Sequence, residues 1–170
     1  MLQPPVIIAL GANSGNVRQN VTRAMQRLQE FSTMPLLKSS LWQTTPVDCP
    51  PGSAPFINAV VALVPRPGES PESLLAKLQA MEMQFGRHRT GVPNEPRPLD
   101  LDLIAFGAET RSTTTLALPH PRAHLRRFVL QPLAEILPDF VLPGQTRTIA
   151  ELLRLLPRDS GMKRVSALIS

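Results

Sequence analysis

Residues 97–104 read Arg97-Pro98-Leu99-Asp100-Leu101-Asp102-Leu103-Ile104. Leucine and aspartate alternate with the two-residue period of a strand. Leu99, Leu101 and Leu103 therefore face one way, and Asp100 and Asp102 the other. The strand runs on to Phe106 and closes at Gly107. Upstream, Ser70-Pro71 opens a helix, with serine as N-cap and proline at the first helical position. Leu74, Leu75, Leu78, Met81 and Phe85 form its buried stripe, and Gly86 ends it. Phe56–Val64 and Leu36–Thr44 read as strands. Before them, Val17, Val21, Ala24, Met25, Leu28 and Phe31 recur at helical spacing, which predicts an amphipathic helix over roughly residues 17–30 capped by Asn16. Val6–Leu10 reads as a short buried strand.

The order through residue 106 is strand, helix, strand, strand, helix, strand. This is the split βαβ, ferredoxin-like α+β arrangement. It predicts an antiparallel sheet with helices packed on one face and the other face free for a ligand. The apolar run Phe128–Leu133 and a helix near Ile149–Leu156 are additional C-terminal elements.

A chain of 170 residues, 42% hydrophobic, fits one globular domain over residues 1–170. The single cysteine, Cys49, forms no intrachain disulfide and fits a reducing, cytoplasmic setting as a loop thiol. No signal peptide or membrane span is expected, since Val6–Leu10 is far too short to cross a bilayer. The net charge of +5 favours anionic partners. Of the 18 basic residues only Lys38, Lys77 and Lys163 are lysine, and arginine suits bidentate phosphate binding. A nucleic-acid-binding sheet of this fold needs exposed aromatic residues. The chain has no tyrosine, one tryptophan and six phenylalanines, so small phosphorylated partners are the better reading.

Two carboxylates side by side on a strand repel each other. A divalent cation relieves that repulsion, and Mg²⁺ accepts oxygen ligands completed by waters and substrate phosphates. A bare aspartate pair is equally the outer face of a solvated strand. Arg87, Arg89 and Arg97 favour the cation reading, because guanidinium groups clamp the same phosphates a metal would hold. They sit in a loop over residues 87–98 rich in arginine, glycine and proline. His120, held between Pro119 and Pro121, and Arg126 offer two more phosphate contacts. Gly11-Ala12-Asn13-Ser14-Gly15-Asn16 lacks the lysine of a phosphate loop and reads as a structural turn. Asn58 presents a donor and an acceptor suited to a heterocycle edge, and Phe56 a stacking surface. Read alone, Phe56 is better taken as a core residue and Asn58 as a strand-edge residue.

Together these motifs resemble the 6-hydroxymethyl-7,8-dihydropterin pyrophosphokinase family of folate biosynthesis. The most specific part is Pro96-Arg97-Pro98-Leu99-Asp100-Leu101-Asp102-Leu103. Thr44-Thr45-Pro46, Phe56-Ile57-Asn58, Gln79 through Glu82 to Gly86-Arg87-His88-Arg89, and Pro119-His120-Pro121 support it. The resemblance implies a ferredoxin-like fold and transfer of pyrophosphate from ATP, the co-substrate, to the pterin hydroxymethyl oxygen. It implies two Mg²⁺ ions on Asp100 and Asp102. It places Gln79, Glu82, Arg87, Arg89, Arg97, His120 and Arg126 at ATP, with Arg87, Arg97, Asp100 and Asp102 as the catalytic set. It places the pterin between Phe56 and Phe128, bonded to Asn58 and near Thr44 and Val47. The expected partners are these small molecules, with no nucleic acid and no membrane, and the chain is expected to be a monomer. Three positions depart from the family pattern. Pro93-Asn94 replaces an arginine-tryptophan pair, Phe56 a tyrosine found in some members, and Asp48 a frequent glycine. The first of these leaves open a member that binds ATP and pterin with weakened turnover.

Overall fold

A computed structural model describes residues 4–45, 52, 54–87, 96–159 and 161–166. Strand β1 (Val6–Ala12) leads into helix α1 (Val17–Leu28). Strands β2 (Leu37–Lys38), β3 (Leu41–Thr44) and β4 (Phe56–Leu63) follow, then helix α2 (Pro71–Gln84) and strand β5 (Asp100–Phe106). A hairpin of β6 (Arg111–Ser112) and β7 (Ala117–Leu118) precedes helices α3 (Arg127–Ile136) and α4 (Ile149–Leu155). Strand β8 (Lys163–Val165) comes last. The main sheet runs β5-β1-β4-β3-β8, with β2 also on β4, and every pairing is antiparallel. Its order is that of the split βαβ arrangement. Among the described residues no helix is long and apolar enough to cross a membrane.

Local chemistry explains the element ends. The Ser70 hydroxyl accepts the Ser73 backbone N–H at 3.0 Å, the Ser70 N–H donates to the Ser73 hydroxyl at 2.9 Å, and Pro71 starts α2. Gly86, at φ +93°, takes the left-handed turn that closes it. Asn16 does not cap α1 as expected. Its amide instead donates to Gln19 Oε1 at 2.8 Å, and α1 starts without a side-chain cap. The predicted strand over 36–44 is split, because Ser39 turns its hydroxyl inward to accept the Val60 N–H at 2.9 Å. Thr148 and Glu151 close a reciprocal cap on α4.

Strand alternation sorts the core into two layers. Ile8, Leu10, Ile57, Ala59, Val61, Leu101 and Leu103 face α1 and α2, where Val21, Ala24, Leu28, Leu74, Leu78 and Met81 cover them. Ile7, Val60, Ile104 and Ala105 face the other way, under Val129, Leu130, Leu133, Ile149 and Leu152 of α3 and α4. The second face is therefore not wholly free. Its apolar half must be covered, since a fully buried aliphatic side chain contributes about 1.5–3 kcal/mol. The same face continues as Gly11, Asn58, Asp100 and Asp102, and this polar end is where a ligand has room.

Candidate active site

The polar end of the sheet is built from rungs of the strand ladder. Asp100 lies opposite Gly11, and Gly11 opposite Asn58; Asp102 lies opposite Ala9, and Ala9 opposite Val60. Leu99, Leu101 and Leu103 are buried in the core as the alternation requires, while both aspartates are half-buried on the opposite face. Asn58 is fixed by its neighbour, its amide nitrogen donating to the Thr44 hydroxyl at 2.7 Å. Its carbonyl oxygen is thereby left as the acceptor at the floor. Gly11 makes room for it: a Cβ there would stand 3.0 Å from Asn58 Oδ1 and 3.9 Å from the Phe56 ring. Phe56, at the start of β4, is half-buried beside this floor.

Charge is concentrated at the β5 end. The Arg87 guanidinium is buried, and its Nη1 donates to Glu82 Oε2 at 2.9 Å and also to Asp100 Oδ1. Arg97 Nη1 reaches Asp100 Oδ2 at 3.1 Å. Glu82 Oε2 also accepts the Leu101 N–H at 2.8 Å. Arg97 is held through its backbone. Its N–H donates to Asn13 Oδ1 at 2.7 Å, and its carbonyl accepts from Asn13 and Ser14. Among the described residues the buried Nε–H groups of Arg87 and Arg97 have no hydrogen-bond partner. Among the described residues no ion pair holds Asp102. Burial, then the charges of Asp100 and Glu82, push its carboxyl up to about 7, against the pull of Arg126 and Arg97.

His120 stands on the other side of Asp102. Its backbone N–H bonds the Ile104 carbonyl at 2.8 Å, and its Nδ1 accepts the Arg122 N–H at 3.2 Å. Burial, then Arg126 and Arg122, push the imidazole below its usual value, so it is neutral at pH 7 with the proton on Nε2. Asp102 and His120 share the wall of a cavity of about 250 Å³, which Leu75 of α2 and the turn Thr113–Ala117 complete. Arg126, whose charge acts on both Asp102 and His120, lies 5.5 Å from the ring centroid of half-buried Phe128, a cation–π pair.

The structure thus brings together Glu82, Arg87, Arg97, Asp100, Asp102 and His120, and separately joins Thr44 to Asn58. Gln79 is exposed on α2, one turn before Glu82. Arg89 and Val47 lie outside the described residues, as do Asp48, Cys49, Pro93 and Asn94. Sequence reasoning took residues 11–16 for a turn and so missed Gly11, which belongs to β1. A glycine at the end of an apolar run is the signal of close approach by a neighbouring strand. It also missed the threonine turn 113–115, whose part depends on a cavity that no periodicity reveals.

Residues 7–138 match the family model of 7,8-dihydro-6-hydroxymethylpterin-pyrophosphokinase (HPPK). This chain belongs to the HPPK family. It is 39% identical over 147 residues to the 2-amino-4-hydroxy-6-hydroxymethyldihydropteridine pyrophosphokinase of Synechocystis, covering 86% of this chain and 73% of that one. With the Pseudomonas aeruginosa protein of the same name it shares 35% identity over 161 residues, 94% of this chain and 96% of that one. The HPPK fold is present as well. The crystal structure of Plasmodium falciparum HPPK-DHPS superposes with a TM-score of 0.74 at 12% identity, over 96% of this chain and 48% of that longer one. The resemblance drawn from the motifs therefore holds across the HPPK match, which takes in Asn58, both aspartates, His120 and Phe128.

Proposed function

We propose that this chain is a 2-amino-4-hydroxy-6-hydroxymethyldihydropteridine pyrophosphokinase, acting as a single-domain monomer in the cytoplasm. One observation carries the reading: two aspartates on one strand face, ion-paired at Asp100 with buried Arg87 and half-buried Arg97, in a chain of this family. ATP lies with its triphosphate along Asp100, Asp102, Arg87 and Arg97, and its nucleoside in the cavity beside His120. The pterin lies at the Asn58 end between Phe56 and Phe128, with Thr44 holding the Asn58 amide so that its Oδ1 accepts a ring N–H. Gln79, Arg89, Arg126 and Val47 complete the two substrate sites.

The residues fit Mg²⁺. Among the described residues no group of three or more His, Cys, Asp or Glu forms a cage. Two carboxylates supplemented by phosphates and water are what Mg²⁺ takes. Asp100 and Asp102 would hold it, as two ions, and bound there it draws charge from the phosphate oxygens. The chain's own residues do the positioning. Glu82 fixes Arg87, and Asn13 fixes Arg97, so both guanidinium groups meet the triphosphate already ordered. The pterin hydroxymethyl oxygen attacks the β-phosphorus in line and gives its proton to water, the bond from that phosphorus to the α–β bridging oxygen breaks, and AMP leaves with that oxygen. Arg87, Arg97 and the Nε2–H of His120 take up the charge that develops.

The protein incubated with ATP, Mg²⁺ and the hydroxymethyl-dihydropterin is expected to release AMP stoichiometrically with pterin diphosphate. No AMP above a protein-free blank would sink the assignment. Calorimetric binding of ATP or pterin without AMP would leave the binding-only reading standing instead. Gly11→Ala is expected to raise the pterin KM about tenfold, because its Cβ displaces the Asn58 carbonyl, while the ATP KM stays within about twofold. Unchanged pterin kinetics in that variant would remove Asn58 from the pterin site.

A further inference from the structure

We propose that Arg111 and Glu72 form a clasp that sets the width of the cavity beside Asp102 and so governs nucleotide affinity without touching the nucleotide. This rests on the reading of that cavity as the nucleoside site. The cavity has two walls of different firmness. One is Leu75 of α2 with strand β5. The other is the turn of the β6–β7 hairpin, which forms a two-stranded sheet of its own with only two residue pairs, Arg111 with Leu118 and Ser112 with Ala117. A hairpin of that size is marginal unless something else holds it.

Two things hold this one. Leu116 and Leu118 sink into the core on the inner side. On the outer side, Arg111 Nε donates to Glu72 Oε2 at 2.7 Å and Nη2 to Glu72 Oε1 at 3.4 Å. The fork also reaches back to the two residues before β6, Nη2 to Glu109 Oε1 at 3.1 Å and Nη1 to the Thr110 carbonyl at 2.9 Å. Glu72 sits in the first turn of α2, where the helix dipole favours a carboxylate. Leu75 is one turn further along the same helix. The ion pair therefore joins the two walls directly, hairpin to α2. Between these anchors residues 113–115 are exposed, and among the described residues the turn is held by its own bonds, Thr113 N–H and the Thr113 hydroxyl to the Leu116 carbonyl and Leu116 N–H to the Thr113 hydroxyl, each at 3.0 Å. Neither Arg111 nor Glu72 lines the cavity. They are positioning residues.

The test is steady-state kinetics of Arg111→Gln, Glu72→Gln and the double variant, beside amide hydrogen exchange of Thr113 and Leu116. Each single variant is expected to raise the ATP KM about three- to fivefold, the range an exposed ion pair of this kind supports. The pterin KM and kcat should stay within about twofold, and the double variant should be no worse than either single one, because both remove the same contact. Arg111→Lys, which keeps the charge and loses the fork, should fall between. Exchange at Thr113 and Leu116 should quicken several-fold in Arg111→Gln. An unchanged ATP KM in both single variants, additive effects in the double variant, or an equal rise in both KM values would overturn the clasp. If the wild-type protein releases no AMP, the functional reading fails by that result alone. The exchange arm then decides the clasp: faster exchange supports it and unchanged exchange refutes it.

Discussion

Asp102→Asn is expected to slow AMP release by about a thousandfold, the scale of losing one charge-stabilising group at a phosphoryl centre, while the chain stays folded. The amide keeps the shape of the side chain and removes its charge. Without that charge the residue no longer serves a cation or repels Asp100 and Glu82. The same substitution has a stability signature with a definite sign. Burial, Asp100 and Glu82 raise the Asp102 carboxyl from the usual value near 3.8 to about 7. Between those values the unfolded chain has lost a proton that the folded chain still binds, so this residue makes folding less favourable as pH rises across that window. Asparagine lacks the effect. In a metal-chelating buffer, the melting temperature of the variant minus that of the wild type should grow from about pH 4 to about pH 7 and then level off. A difference that is flat with pH, or turnover within tenfold of wild type, would remove Asp102 from the role given to it.

Arg87→Met is the substitution with the largest expected effect on stability. Arg87 is a buried cation shared by Glu82 and Asp100. Its removal leaves buried carboxylates without their common partner, which costs about 3–5 kcal/mol. For a domain of this length each kcal/mol lowers the melting temperature by roughly 2–4 °C, so a fall on the order of 10 °C is expected, together with loss of turnover. Glu82→Gln added to Arg87→Met should recover part of that loss, because it removes one of the carboxylate charges that Arg87 neutralised. Thermal melts of the two variants beside wild type check this. A single variant melting within about 2 °C of wild type would show that the cluster does not need its cation.

Short-range signals carried most of the architecture. The alternation at 99–106, the Ser70-Pro71 start and the stripe on α1 are local patterns, and all three elements are where those patterns put them. Pieces fixed by distant partners were not legible. Strand β8 is three residues, two of them charged and exposed, and is a strand only because it pairs with β3. The cover that α3 and α4 place on the sheet follows from Ile7, Val60 and Ile104 sharing a face, which requires the register of three strands at once. The site divides in the same way. The aspartate pair and its arginines could be read from spacing. Glu82, which the resemblance implies lies near the nucleotide, also orders Arg87 and β5 through its carboxylate, a role no spacing reveals. Asn13 holds Arg97 across 84 positions of sequence, beyond the reach of any spacing rule.

The bond from the Leu101 N–H to Glu82 bears on how the chain behaves in a crowd. Strand β5 is the last in the sheet, and Leu101 turns its N–H outward, away from β1. Outward donors on a terminal strand are where a second molecule adds its own strand and growth into aggregates begins. Here that donor is occupied by a carboxylate, and the two neighbouring residues of the strand are aspartates. The charges that ready this strand for a polyphosphate also make it a poor template for another copy of itself.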